Sequence, residues 1–186
     1  AQARAWQKDG YNPFRIAVNI SERQLRQPDF VREIRDILEE TGLDPCYLEL
    51  ELTENSVMQH AEQALMTLNA LRELGITLAI DDFGTGYSSL SYMKLVPVDR
   101  LKIDRSFVHD IPRDENDVAI VRAIVTLGHS LNLSVVAEGV ETQAQIELLT
   151  SIGCDEMQGF LYSAPKAASE LQTILDPTIR SACIND

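Results

Sequence analysis

The sequence predicts an α/β fold in the form of a parallel barrel, and three observations carry that expectation. Short β-branched or Leu-rich runs alternate with stretches of helical period along most of the chain, the rhythm of a parallel sheet joined by crossover helices. Successive strands pair an apolar face with a face that carries a polar residue near the C-terminal end. An open doubly wound sheet is covered on both sides and its strands read as near-continuous apolar runs. A barrel instead turns one face inward and gathers its site at the C-terminal mouth. Finally, six strands are visible, so a closed eight-stranded barrel needs two more upstream of residue 1.

The elements follow in order. The opening AQARAWQKDG reads as the end of a helix and lacks an initiator Met, which points to a piece of a longer protein. FRIAVNIS (14–21) is the first strand, with Ile16, Val18 and Ile20 on one face and Ala17 and Asn19 on the other, because side chains alternate along a strand. FVREIRDILEETG puts Val31, Ile34, Ile37 and Leu38 on one helix face and stops at Gly42. YLELELTE (47–54) sets Leu48, Leu50 and Leu52 against Glu49 and Glu51. AEQALMTLNALRELG is a helix built on Leu65, Leu68 and Leu71 and ended by Gly75. TLAIDDFG (77–84) opposes Leu78 and Ile80 to Thr77, Ala79 and Asp81; RLKIDRSF (100–107) opposes Leu101 and Ile103 to Lys102 and Asp104. Between them YSSLSYMKLVPVD reads as a short helix and a loop. DVAIVRAIVTLGHSLN is a helix, SVVAEGVE (134–141) a strand with Val136 and Glu138 on one face, TQAQIELLTSIG a helix and DEMQGFLYS (155–163) the last strand. Residues 1–167 are read as one domain and 168–186 as a C-terminal helix and tail.

The 186 residues suffice for one sizeable core. Lys plus Arg is 16 and Asp plus Glu is 29, a net charge of −13, which argues against DNA or an anionic membrane as a broad partner. No segment has the roughly 18 consecutive apolar residues of a membrane span, and no secretory leader is visible. Cys46, Cys154 and Cys183 are far apart and read as idle thiols of a reducing compartment. The expected location is cytoplasmic, with a parent protein that membrane anchoring could tether.

On the polar face the strands collect Asn19, Glu51, Asp81, Lys102 and Glu138. Converging carboxylates are costly without compensation, and a divalent cation supplies it. Carboxylates with one carboxamide suit hard ions such as Mg²⁺ or Mn²⁺. His60, His109 and His129 fall away from strand ends, which disfavours a zinc site. Asp81 and Asp82 are adjacent, and Gly84 and Gly86 after them permit a sharp turn that lets both reach ions. Blander readings stand beside these. The Asp pair could cap a helix or sit in a solvated turn; Lys102 could form a buried ion pair with Asp104 or a neighbour; Glu138 and Glu141 could favour a helix N-terminus; Asn19 could cap a turn. A kinase-like Asp-Phe-Gly lacks a Gly-rich phosphate loop, a strand Lys upstream and an H-R-D loop.

VNIS, ELTE, DDFGTGYSSL, LKIDRSF, AEGVET and QGFLYS, in this order and spacing over residues 17–163, resemble the EAL-domain family of bacterial cyclic di-GMP phosphodiesterases. The resemblance implies a modified (β/α)₈ barrel with one antiparallel strand. The Glu-Ala-Leu strand and its metal-binding Glu are not in this sequence, in keeping with six visible strands. It implies two ions, Mg²⁺ or Mn²⁺, held by Asn19, Glu51, Asp81, Asp82 and Glu138. Asp81 would bridge the ions, Lys102 contact the attacking water and Glu138 complete the metal–water network. Lys102, Glu138 and Asp82 are thus the implied catalytic groups. Glu54 would anchor the loop after Asp82, Gln158 and Glu141 would lie near the substrate, and Asp104 would support the site from behind. The implied reaction converts cyclic di-GMP to linear 5′-pGpG; the alternative is a catalytically inactive domain that binds cyclic di-GMP as a receptor. A homodimer through the loop and helix after Asp82, and upstream sensory or GGDEF domains, are implied partners. Asn55 stands where Ser is common after ELTE, and Ala164 where a basic residue is frequent.

Overall fold

The computed structural model of the chain describes residues 1–58, 61–86 and 93–175. Its strands are β1 (Ile16–Ile20), β2 (Leu48–Thr53), β3 (Thr77–Phe83), β4 (Arg100–Ile103), β5 (Ser134–Ala137) and β6 (Glu156–Met157), each inside one of the six runs read from the sequence. They form one sheet in the order β1-β2-β3-β4-β5-β6, and each neighbouring pair is parallel. Crossovers between parallel strands are right-handed, so a strand order that never reverses steps every crossover the same way and puts the helices on one side. A doubly wound sheet needs a reversal of order. The α/β architecture with an inward-facing polar surface is therefore borne out. The antiparallel strand implied by the resemblance is not among the described residues.

The helices are α1 (Gln2–Lys8), α2 (Glu22–Leu25), α3 (Phe30–Thr41), α4 (Glu54–Met58), α5 (Ala61–Glu73), α6 (Arg105–Val108), α7 (Glu115–Ser130), α8 (Gln143–Ser151) and α9 (Ala168–Leu175). Local chemistry sets their ends. Gly42, at φ 65°, closes α3 in a left-handed conformation that costs glycine little. Reciprocal hydrogen bonds between Ser21 and Gln24 open α2, and between Thr142 and Gln145 open α8. Gln145 is buried and also donates from Nε2 to the carbonyls of Val108 (2.8 Å) and His109 (3.2 Å). One side chain thus starts α8 and ties it to the end of α6.

The core lies between the sheet's apolar face and these helices. Leu50, Leu52, Leu78, Ile80, Leu101, Ile103 and Val135 from the strands meet Leu38, Leu68, Leu71, Val121, Val125 and Leu149 from α3, α5, α7 and α8. Each such burial contributes roughly 1.5–3 kcal/mol. Ile37, expected on the packed face of α3, is 53% exposed; the packed stripe runs through Val31, Ile34 and Leu38, and Ile37 lies about 100° away from Leu38 around the helix.

Candidate functional site

Two charged layers line the concave face of the sheet. The upper one centres on Lys102, which is 3% exposed. Its Nζ lies 2.6 Å from Glu51 Oε1, 2.6 Å from Glu138 Oε1 and 3.2 Å from Asp81 Oδ1. Strand parity brings these groups together. Lys102 aligns with Val136, two residues before Glu138, while Glu51 aligns with Ala79, two before Asp81. Burial works against the ammonium charge, but hydrogen bonds to Glu138 and Glu51 and the charge of Asp81 outweigh it and hold the Lys102 pKa above its ordinary value. Burial also pushes the Glu138 carboxyl up, against the opposing pull of Lys102.

Asp81 and Asp82 share a side of the sheet because β3 carries a bulge. Ile80 pairs with Leu101 and Phe83 with Ile103, so two aspartates stand opposite Lys102 alone. Asp82 takes the left-handed conformation, φ 54°, which Asp tolerates better than most residues. Its amide donates to Asp81 Oδ1 at 3.1 Å. The turn is therefore made at Asp82 and at Gly84, whose φ of 100° is the glycine conformation expected there; Gly86 does not take part in the way expected. Gly86 has a different duty: a Cβ there would lie 2.5 Å from Glu54 Oε1. Glu54 is 1% exposed and its Oε2 accepts from the Gly84 amide at 3.1 Å, which places it directly beneath this turn. Its Oε1 has no hydrogen-bond partner among the described residues.

One oxygen each from Asp81, Asp82 and Glu138 fall within 4.8 Å of one another. Three hard carboxylate donors so close fit a divalent cation of the Mg²⁺ or Mn²⁺ type. Burial, the charge of Asp81 and a hydrogen bond with Asp104 raise the Asp82 pKa. Asp104 is held low in spite of its burial, because its carboxylate accepts from the Ser106 amide (2.9 Å) at the start of α6 and shares a hydrogen bond with Asp82. The blander reading of Lys102 as a buried ion pair holds for its neighbours Glu51, Asp81 and Glu138; a pair with Asp104 is not among the ion pairs of the described residues.

The other expected site residues spread around this trio. Glu51 is paired with Lys102 and stands outside the trio. Asn19 aligns with Glu51 across β1 and β2 and is exposed. Gln158 lines a cavity of about 480 Å³ together with Glu51 and Lys102. Glu141 does not; it borders a separate depression beside Arg105, Ser106 and His109. Residues 87–92, the first part of the loop and helix expected at a dimer contact, lie outside the described residues, as do His60 and Cys183. Cys46 and Cys154 are free.

The lower layer was missed by sequence reasoning, which treated Glu49 as structural and passed over Arg15, Arg100 and Glu156. Glu49 Oε2 lies 3.2 Å from Arg15 Nη1 and 3.4 Å from Arg100 Nε, and Arg100 Nη2 pairs with Glu156 Oε2. The signal was present: Glu49 and Arg100 each precede an upper-layer residue by two positions and so share its face.

Comparison with known proteins bears on this geometry. Residues 1–165 match the EAL domain family. The bifunctional diguanylate cyclase/cyclic di-GMP phosphodiesterase MucR of Pseudomonas aeruginosa is 47% identical over 170 residues, 91% of this chain but 25% of that protein; the chain thus spans about a quarter of that relative's length. The structure of the MucR phosphodiesterase in complex with c-di-GMP superposes with a TM-score of 0.87, covering 91% of this chain and 69% of that one. The EAL domain of Mycobacterium smegmatis DcpA gives 0.89 at 43% identity, covering 94% and 79%. Klebsiella pneumoniae BlrP1, solved with manganese and cy-diGMP, gives 0.78 at 38% identity, covering 88% and 42%. No helix among the described residues is long and apolar enough to cross a membrane. The chain belongs to the EAL domain family.

Proposed function

We propose that this chain carries the metal-binding and catalytic residues of a cyclic di-GMP phosphodiesterase that opens the cyclic dinucleotide to linear 5′-pGpG. The observation that carries the reading is the carboxylate trio of Asp81, Asp82 and Glu138, within 4.8 Å of one another and set against a buried Lys102. Asp81, Asp82 and Glu138, with Glu51 and Asn19 from the neighbouring strands, would hold two Mg²⁺ or Mn²⁺ ions. Bound there, such ions neutralise phosphate oxygens and lower the pKa of a water from 15.7 toward roughly 7.

The chain's own residues supply the rest. Asp81, between Lys102 and Asp82, would serve both ions. Once the ions take up part of the carboxylate charge, Lys102 would turn one of its three N–H groups from a carboxylate to the attacking water and offset charge that develops on the phosphoryl oxygens. Its carboxylate neighbours keep it protonated, so it acts as a donor and an electrostatic stabiliser, not as a base. Glu138, in contact with Lys102 at 2.6 Å, would help to orient the same water. Gln158, at the cavity wall beside Lys102 and Glu51, contacts the substrate, with Glu141 at its periphery, and Glu54 fixes the turn that carries Asp82. A dianionic substrate meets an acidic protein here, so local cation charge has to reverse the sign at the mouth. A homodimer and upstream input domains in the parent protein belong to the same proposal.

The test incubates cyclic di-GMP with the chain and Mg²⁺ or Mn²⁺ and follows pGpG by chromatography, with Asp81→Asn alongside. Turnover by the parent and its loss in Asp81→Asn support the phosphodiesterase. The chain alone is expected to turn over slowly or not at all, so the same assay is run on the parent protein; binding without turnover there makes the domain a receptor, and near-normal turnover by its Asp81→Asn variant removes the site assignment.

A further inference from the structure

Arg100 opens β4 two residues before Lys102 and is only 6% exposed, although it carries a charge and the proposed reaction does not use it. From β4 its guanidinium reaches Glu49 on β2 and Glu156 on β6, passing over β3 on one side and β5 on the other. Arg15, just before β1, joins the same Glu49 carboxylate at 3.2 Å. Two arginines and two glutamates balance in charge, so this layer adds no net field to the acidic layer above it. Glu49 and Arg100 lie two residues before Glu51 and Lys102 on β2 and β4, and Glu156 lies two residues before Gln158, which follows β6 directly and lines the cavity beside Glu51 and Lys102. Backbone hydrogen bonds tie only neighbouring strands, and they leave the curvature of a sheet adjustable. Links that skip a strand on the concave face fix that curvature. Arg100 does this through the Nη2 pair with Glu156 and through charge at 3.4 Å from Glu49, where Nε makes no hydrogen bond among the described residues; its broad planar cation faces both carboxylates at once, which the compact ammonium of a lysine at the same place does not.

We infer that Arg100, with Glu49 and Glu156, is a positioning layer that sets the spacing of Glu51, Lys102 and Gln158, each two residues further along, and through them the donor geometry of the proposed metal site. The inference rests on the proposed metal-dependent reading, and its test has one arm that does not. Donor groups have to be held within about 0.5 Å of productive geometry by the residues behind them, and loss of such support typically costs about 10–100-fold in metal affinity.

The first arm reads Lys102 directly. Lys8, Lys94 and Lys166 are exposed and Lys102 is buried, so in a ¹⁵N-labelled chain at neutral pH the slowly exchanging side-chain ammonium signal belongs to Lys102. Arg100→Met keeps volume and removes the guanidinium; it is expected to speed that exchange about tenfold or to broaden the signal away. Arg100→Lys, which keeps charge without the planar cation, is expected to recover only part. The second arm titrates Mn²⁺ by calorimetry, with a weakening of about tenfold expected in Arg100→Met and an intermediate value in Arg100→Lys. Glu49→Gln, which leaves the guanidinium one charged partner, carries both arms if Arg100→Met does not fold, with changes in the same direction. A folded variant whose Lys102 signal is unchanged overturns the inference. If the parent chain binds no Mn²⁺, the proposed function fails, while the ammonium arm still decides whether Arg100 positions Lys102.

Discussion

Replacing Lys102 by Met would test the electrostatic account most directly. The substitution keeps much of the side-chain volume and removes the one cation that three carboxylates share at 2.6, 2.6 and 3.2 Å. At an effective dielectric of about 20, each pair attracts by roughly 5–6 kcal/mol, and the cost of desolvating the charges offsets most of that. Breaking a buried pair from one side costs about 3–5 kcal/mol. The low end, about 3 kcal/mol, applies here, since the Glu138 side chain is 19% exposed and a carboxylate left without its partner can take up a proton. For a chain of this size that corresponds to roughly 6–12 °C in Tm. The sign with pH follows from the same groups. Burial raises Asp82 and Glu138, and loss of Lys102 removes a charge that opposes both shifts, so their folded pKa values lie above their unfolded ones. The stability they contribute is full below the unfolded value and is lost as pH rises through the folded value. Circular-dichroism melts in chelator should therefore show a large loss near about pH 7.5 and a small one near about pH 4.5. Mg²⁺ or Mn²⁺ should restore part of the loss at the higher pH by replacing the missing charge. An unchanged Tm at neutral pH, or an equal loss at both pH values, would refute the reasoning.

Other perturbations probe neighbouring parts. A Cβ at Gly159 would lie 2.1–2.2 Å from the backbone O and N of Val140; backbone cannot yield as a side-chain tip can, so Gly159→Ala should cost more than about 2 kcal/mol, and a denaturant midpoint equal to that of the parent would contradict this. Gly86→Ala should displace Glu54 from the turn at Gly84 and weaken Mn²⁺ binding by about tenfold, measured by calorimetry, with the fold intact by circular dichroism. In the parent chain, burial raises both Asp82 and Glu138. Without metal, their contribution to stability is present below the unfolded pKa and lost as pH rises through the raised folded values. Divalent cations should accordingly lift Tm more at neutral pH than in acid, and a pH-independent lift would exclude these two carboxylates as ligands.

What the sequence determined by itself is the scaffold and the residues of its polar face. Period-2 alternation in IAVNI, LELELT and TLAID, with Gly42 and Gly75 as helix stops, was enough to place six strands and to say that Glu51, Asp81, Lys102 and Glu138 point the same way. Alternation is a local property of the backbone, and it needs no knowledge of distant contacts. Tertiary structure decided what these residues meet. The bulge that puts Asp82 beside Asp81 depends on how β3 registers against β4, and register is a relation between strands that neither strand encodes alone. Asp82 at φ 54° carries no sequence mark, since aspartate is common in ordinary conformations too. The exposure of Ile37 and the separation of Glu141 from Gln158 likewise follow from which elements pack nearby. The lower layer shows the division most clearly. Parity alone places Glu49 and Arg100 on the inner face, but only the curvature of the assembled sheet brings β2, β4 and β6 close enough for one guanidinium to join them.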